Sequence, residues 1–368
     1  MPKNRRLSTN KTINVFTLPK ILRHFISFSI IITFLLCSQH TLSKTISESS
    51  FYIKSELLSE SNIFEDSSNT GTVGNQFWGG FTHNYHSGNQ LLQLNLLSNL
   101  IHYHHYRSED KSVNLLTIQY SYLFSKGFAL EMSGEVFNKQ WYQAANGYSN
   151  QLIDMGLKYS FHSTSICFGG NYRYNRFPSF SQFTSDYRGY FLRVEHKPKP
   201  RATSSVKITR YSIRYSDRAF TSLDSSNAGK SVLQKDNLLL IQAGFEKHHK
   251  PIIGMYFRYL ANASNCPEAS FQAAAWRFMI SEKIIGFYTQ MIIDIQLKEY
   301  TNNLDRLRIL ANPDPEQNIQ NQLLFGWERP FNNHFSLQGK LAYIRNETAY
   351  SNRFYDKWFG SMGIVYRL

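Results

Sequence analysis

The sequence predicts an all-β fold, namely a single antiparallel up-and-down transmembrane β-barrel of about 16 strands, with 14 as the alternative. Three observations support this prediction. Long and short connections alternate along the chain, several strands alternate apolar with polar residues, and the final segment carries an apolar face up to its last residue. A β-sandwich or a propeller has no reason to keep such parity of connections.

The first 43 residues have the features of a secretory signal peptide. Its basic residues are Lys3, Arg5, Arg6, Lys11, Lys20 and Arg23. The apolar run Phe25–Cys37 that follows is too short for a membrane-spanning helix and suits a signal-peptide core, which argues against an uncleaved anchor. We expect cleavage between Ser38 and Lys44, where Thr41-Leu42-Ser43 is a suitable site. A short periplasmic segment over 44–50 and the barrel over 51–368 would follow.

Composition narrows the class of protein further. The formal net charge is +14, but the leader holds six of the 40 Lys and Arg, which leaves 34 against 26 Asp and Glu. We therefore expect no nucleic-acid partner. Cys167 and Cys266 remain after cleavage, which allows one disulfide at most and no cysteine metal cluster. The 28 Phe, 23 Tyr and 5 Trp fit the aromatic girdles of a membrane barrel.

The connections fall into two classes. Short ones are predicted at 86–89, 125–127, 162–164, 197–200, 247–250, 281–283 and 330–333. Longer ones are predicted at 65–74, 107–111, 143–149, 177–184, 216–235, 262–268, 301–317 and 346–354. Barrels of this class have short periplasmic turns and longer outer loops, so both chain termini would lie at the periplasmic end.

Alternation within strands predicts which side chains face the lumen. In the strand near 155, Ile153, Met155 and Leu157 would face lipid, whereas Asp154 and Lys158 would face inward. The predicted lumen-lining basic residues are Lys158, Arg173, Arg193, Arg210, Arg214, Arg258, Arg277 and Lys340. The acids placed opposite them are Asp154 and Asp294.

A ring of arginines in an aqueous lumen favours anions. The alternative is a set of solvated wall residues paired with acids of the loops, which are Asp217, Asp224, Asp305 and Asp314. The first functional hypothesis is therefore a porin-type channel for passive diffusion of small polar or anionic solutes.

The long connections carry a second basic set. Its members are Arg218, Lys230, Lys235, Arg306 and Arg308. Such residues suit the phosphates of lipopolysaccharide, so one hypothesis is a loop-based adhesion or lipopolysaccharide-contact protein. The alternative is that these loops are simply solvated.

Metal binding and catalysis have weak support in the sequence. His102 and His104 share a strand face, but no carboxylate or cysteine at ligand spacing completes a site, and His248-His249 adds none. The His86-Ser87-Gly88-Asn89 stretch is similar to the His-x-Ser-Asn-Gly pattern of outer-membrane phospholipases but in a different order, and it is typical of a tight turn. We expect no metal, no cofactor and no enzymatic activity, with a lipid hydrolase as the alternative.

The last strand carries a resemblance to a known class. Trp358, Ile364, Tyr366 and Leu368 lie on its apolar face. This segment resembles the C-terminal recognition strand of Gram-negative outer-membrane β-barrels, although it ends in Leu rather than Phe. The resemblance implies localisation in the outer membrane, contact with its lipids and lipopolysaccharide, and insertion by the barrel-assembly machinery.

Two further segments are similar to barrels of envelope secretion systems. Glu60-Ser61-Asn62-Ile63-Phe64 resembles the Asp-Ser-Asn-Val stretch that opens them, and the hairpin from Arg345 to Asp356 resembles their closing hairpin. These systems include exopolysaccharide-associated outer-membrane proteins and surface lipoprotein assembly modifiers. The resemblance implies an alternative function, the export or assembly of a surface polysaccharide or lipoprotein.

Overall fold

The computed structural model describes residues 45–64, 69–143, 147–221, 231–266, 269–300, 321–346 and 355–368. They form 16 antiparallel strands that close into one barrel in sequence order, which confirms the predicted fold. The first eight strands are β1 (Ile46–Glu60), β2 (Thr72–Ser87), β3 (Gln90–Tyr103), β4 (Lys111–Ser125), β5 (Phe128–Trp141), β6 (Tyr148–Phe161), β7 (Thr164–Arg176) and β8 (Ser185–Lys199). The others are β9 (Ala202–Thr221), β10 (Ser231–Lys247), β11 (Ile252–Ser264), β12 (Phe271–Ile284), β13 (Phe287–Tyr300), β14 (Asn321–Pro330), β15 (Phe335–Asn346) and β16 (Tyr355–Arg367). The predicted signal peptide lies outside the described residues.

The first and last strands close the barrel. β1 pairs with β16 from Tyr52↔Arg367 to Glu60↔Phe359, and Leu368 N–H donates to the Phe51 carbonyl at 2.8 Å. β1 also pairs with β2 along its whole length. Because every strand has two paired neighbours, the described barrel has no open edge, as a membrane-spanning sheet requires.

Connection lengths alternate as the sequence indicates. The short ones cover 88–89, 126–127, 162–163, 200–201, 248–251, 285–286 and 331–334. Glycine serves the tight turns, since Gly127 has a φ of +96°, where an L side chain would be strained. We call the end with the short turns the periplasmic end and the end with the long connections the outer end.

Several predicted boundaries differ from the structure, and the turn predicted at 281–283 lies at 285–286. β1 begins at Ile46 rather than at 51, because residues 46–50 pair with β2. The connection predicted over 216–235 is shorter, because β9 and β10 stay paired up to Thr221↔Ser231 beyond an irregularity at Leu233/Lys235. Arg218 and Lys235 are therefore strand residues.

The outward face of the barrel is apolar between aromatic girdles. On β16, Trp358, Met362 and Ile364 are 52%, 53% and 55% exposed, whereas Val365, which faces inward, is 1% exposed. Tyr343 packs on Trp358 toward the outer end, with ring centroids 4.9 Å apart. Rings also pair at the periplasmic end, for example those of Phe287 on β13 and Trp327 on β14 at 5.8 Å. Apolar strands between two aromatic belts are what a bilayer requires.

No helix in the described ranges is long and apolar enough to cross a membrane.

Apolar side chains also cluster inside the barrel toward its outer end. The larger cluster, on β8–β12, consists of Tyr187, Tyr211, Ile213, Leu238, Leu240, Leu260, Phe271 and Ala273. The smaller one consists of Leu58, Ile63 and Tyr103. A 3-10 turn over Ser181–Phe183, in the β7–β8 connection, packs against β9. The inward face is thus polar in one part and apolar in another.

The lumen wall as the candidate functional site

Six of the predicted lumen residues lie on the inward face, and two do not. Those on the inward face are Lys158, Arg173, Arg193, Arg258, Arg277 and Lys340. Arg210 and Arg214 lie on the outward, exposed face of β9, whose buried residues Thr209, Tyr211 and Ile213 point inward. The prediction for β9 was wrong, because it exchanged the inward and outward faces of the strand. On the inward face of β9, Lys207 contributes a basic side chain to the lumen.

A network of charged side chains crosses the inward face from β5 to β8. Lys158 lies 2.8 Å from Glu131 and 3.7 Å from Glu195. Arg193 donates to Glu131 and lies 3.0 Å from Glu195. Each basic group therefore contacts two carboxylates, so their charges largely cancel. These partners are acids of the barrel wall. The alternative predicted from the sequence was pairing with acids of the loops.

Two further ion pairs extend this pattern. Lys207 lies 3.0 Å from Asp154. Arg277 makes two bonds to Asp294, of 2.6 Å and 2.9 Å, and Gln322 also donates to that carboxylate. Asp294 is 2% exposed, and two-point bonding of this kind fixes the arginine against the wall. Both predicted acids thus lie inward, each bound to a cation.

Glu56 joins the strands on both sides of the barrel closure. Its carboxylate lies 2.9 Å from Lys54 and accepts from the Trp78 indole at 3.0 Å. It also accepts from Gln338 at 2.8 Å and from Ser361 at 3.1 Å. Because these residues belong to β1, β2, β15 and β16, one buried side chain holds four strands together.

Another group of lumen cations lies over aromatic rings. Lys111 lies 5.4 Å from the Tyr103 ring centroid, and Lys340 lies 5.3 Å from that of Phe359. The same contact is made by Lys139 with Trp141, Arg173 with Tyr187 and Lys298 with Phe271. A ring attracts a cation without cancelling its charge, in contrast to a carboxylate. These contacts keep positive charge on the wall.

Several inward rings lie close to inward glycines. A Cβ added to Gly156 would come within 3.0 Å of the Phe191 ring, and one added to Gly189 within 2.9 Å of the Tyr211 ring. Tyr52 covers Gly80 more closely still. Each of these rings occupies space that a side chain at the neighbouring glycine would need.

The other predicted positions are scattered. Arg218 lies 5.4 Å from the Tyr215 ring on β9, and Lys235 is exposed on the outward face of β10. Lys230, Arg306 and Arg308 lie outside the described residues. Trp358, Ile364, Tyr366 and Leu368 lie along the outward face of the last strand. Their recognition by the assembly machinery stays a prediction.

The structure shows the surroundings of the histidines and cysteines that the sequence singles out. His102 Nδ1 lies 2.6 Å from Asp110 Oδ2, and His104 Nε2 lies 3.0 Å from the Asn75 amide. In the part of the chain that the structure describes, no group of three or more His, Cys, Asp or Glu is placed to hold a metal ion. Cys167 and Cys266 are not joined by a disulfide. His86 and Ser87 end β2 at the Gly88-Asn89 turn.

The closed barrel, its apolar outward face and its charged inward face together define the class of protein. This is a closed transmembrane β-barrel of the outer-membrane type.

Comparisons with known proteins add similar structures but no closer relative. No protein-family model and no curated protein match the chain. OccAB2 of Acinetobacter baumannii is 10% identical over 87% of this chain and 98% of its own, with a TM-score of 0.43. CdiB of the same organism is 10% identical over 89% of this chain and 66% of its own, with a TM-score of 0.46. OccK11 (OpdR) of Pseudomonas aeruginosa is 9% identical over 88% of this chain and 96% of its own, with a TM-score of 0.42. Likeness of this degree leaves the function to be argued from the wall itself.

Proposed function

We propose that the protein is a passive channel of the porin type, which admits small polar solutes and favours anions. The observation that carries this proposal is the construction of the wall. Sixteen strands are enough to enclose an aqueous channel. The inward face of β5–β8 carries charged side chains such as Lys158, Glu131 and Arg193, which suit contact with water and small polar solutes.

The preference for anions follows from how the wall holds its charges. Lys158, Arg193, Lys207 and Arg277 contact carboxylates, so they add little net field to the lumen. Lys111 and Lys340 lie over rings and keep their charge. Anions entering from the outer end would therefore meet an attractive potential, and cations would meet a repulsive one.

Efflux from proteoliposomes tests this function. Vesicles containing the purified protein are loaded with an uncharged sugar, a sugar acid and an amino sugar of equal size. We expect all three to leave faster than from protein-free vesicles, with the sugar acid leaving ahead of the amino sugar. Efflux equal to that of protein-free vesicles would contradict the channel and favour the export or assembly alternative. Faster loss of the amino sugar would contradict the anion preference alone.

A further inference from the structure

Basic side chains form a patch on the outward face of the barrel at its outer end. Arg188 of β8, Arg210 and Arg214 of β9 and Lys235 of β10 are all exposed there. The strand register pairs Arg214 directly with Lys235. Arg188 is paired with Ser212, which lies between Arg210 and Arg214 on β9. We call these four residues the outer basic patch. They lie on three adjacent strands and face away from the lumen.

Neighbouring residues fix the depth of the patch in the membrane. Below Arg210 the outward residues Leu192, Ile208 and Ile241 are apolar. Tyr190 is paired with Arg210, and tyrosine is typical of the boundary between lipid and water. A tilted strand crosses the hydrocarbon in about 9–11 residues. Because Arg210 lies eight residues after Ala202, it is close to the outer boundary, and Arg214 lies beyond it.

The patch carries more positive charge than nearby acids balance. Arg188 donates to Asp186 at 3.0 Å. Within the described ranges, Arg210, Arg214 and Lys235 form no ion pair. Charge that faces lipid is costly at the membrane centre and tolerated near the interface, where anionic groups can pair with it. An anionic partner at this depth would compensate the patch.

The patch is local to one side of the barrel. Arg176 on β7 borders it. On the remaining described strands, Arg345 of β15 is the other outward arginine or lysine at this end. The remaining outward positions there are apolar, aromatic, amide, hydroxyl or acidic residues, or the imidazole of His102. A general preference for basic residues at the outer rim would not produce this distribution.

We propose that the outer basic patch binds the phosphate groups of lipid A, the glycolipid that anchors lipopolysaccharide in the outer leaflet. Lipid A carries phosphates at the boundary with water and acyl chains beneath them. Those two parts match the patch and the apolar rows of Leu192, Ile208 and Ile241 below it. Arginine can bond a phosphate through two parallel N–H groups, and lysine adds charge. This site shares only Lys235 with the predicted outer-loop basic residues, and it does not depend on the channel function.

Native mass spectrometry of the full-length protein in mild detergent tests the proposal. The patch variant combines Arg188→Gln, Arg210→Gln, Arg214→Gln and Lys235→Gln. The control variant, which loses the same charge, combines Arg218→Gln, Lys230→Gln, Arg306→Gln and Arg308→Gln. The probes are lipid A with both phosphates and the same lipid enzymatically dephosphorylated.

We expect the parent and the control variant to bind phosphorylated lipid A equally and the patch variant to bind it at least tenfold more weakly. Dephosphorylated lipid A should bind the parent as weakly as phosphorylated lipid A binds the patch variant. Equal binding of phosphorylated lipid by parent and patch variant would overturn the proposal, as would equal binding of both lipids by the parent. A patch variant that keeps the lipid but loses an oligomer would identify a contact between copies instead. If the fourfold variant fails to fold, the single variants Arg210→Gln and Arg214→Gln are measured instead. Unchanged affinity for phosphorylated lipid A in both would overturn the proposal.

Discussion

At the scale of single residues, the buried carboxylate of Glu56 shows how a polar lumen can also stabilise a barrel. Its exposed fraction is 4%, and its partners come from both sides of the closure between β1 and β16. A buried charge is stable only when its partners stay in place, and removal of one member of such a group leaves the others unsatisfied. Glu56 therefore contributes to closure rather than to conduction.

Glu56→Gln is expected to destabilise the barrel by about 2–4 kcal/mol, since Lys54 loses its counter-charge and the new amide opposes the Trp78 donor. Urea unfolding in detergent, followed by heat-shifted mobility on gels, measures the loss. The matched control is Glu135→Gln, an inward carboxylate of β5 that forms no ion pair within the described ranges. Equal stability of the two variants would contradict this assignment.

Gly80 is the second residue with a specific requirement. An added Cβ would run into the ring of Tyr52, whereas one added to Gly79 would have no neighbour within 4 Å. We expect Gly80→Ala to push the Tyr52 ring off the wall, which lowers single-channel conductance and costs about 1–3 kcal/mol of stability. Gly79→Ala should change neither. Equal conductance of both variants would show that the ring does not border the conducting path.

At the scale of elements, the β7–β8 connection is tied to the barrel at two points. The Ser216 N–H of β9 donates to the Thr184 carbonyl at 2.9 Å, and Arg218 of β9 lies 5.6 Å from the Phe183 ring. Phe183 is 9% exposed, whereas Phe180 in the same connection is 46% exposed. The buried ring therefore fixes the 3-10 turn against β9.

Phe183→Ala should release this connection and leave the barrel closed, because the strand ladders do not involve it. We expect limited proteolysis within 177–184 to become several times faster, with unchanged heat-shifted mobility of the barrel. Phe180→Ala is the control, since that ring is half exposed and its loss should change cleavage little. Identical cleavage rates for both variants would contradict the role given to Phe183.

The sequence alone does not show which face of β9 points into the lumen. Basic and apolar residues occur on both of its faces, with Lys207 and Ile213 on one and Ile208 and Arg210 on the other. Alternation therefore does not decide which face is inward, and the pairing with β8 and β10 does. On β13 the apolar and polar faces are distinct, and Asp294 was placed correctly from sequence alone.

The acids of the wall could have been found with the same signal. On β5, Glu131 and Glu135 alternate with Leu130, Met132 and Val136, which is as clear as the pattern on β6. Their pairing with Lys158 and Arg193 could not be predicted, because it depends on side chains reaching across strands to β8. The sequence thus predicts which charged residues lie on the wall better than it predicts which of them form ion pairs.

At the scale of the whole molecule, strand number and closure followed from the parity of the connections, a property of the entire chain. Strand number does not depend on exact strand boundaries, because a shift of a few residues leaves the long and short connections in the same order. Side-chain contacts have no such tolerance. They decide whether Lys111 and Lys340 keep their charge over rings, and so whether the lumen favours anions.

The reversal potential across a planar bilayer under a KCl gradient tests this central claim most directly, because K⁺ and Cl⁻ have similar mobilities in water. We expect the parent to show a potential of the sign given by Cl⁻ preference. The Lys111→Gln, Lys340→Gln double variant should shift it toward zero, whereas the control Arg329→Gln, Arg345→Gln, which removes two outward charges, should not. A parent potential of the sign given by K⁺ preference, or the absence of any conductance, would contradict the account.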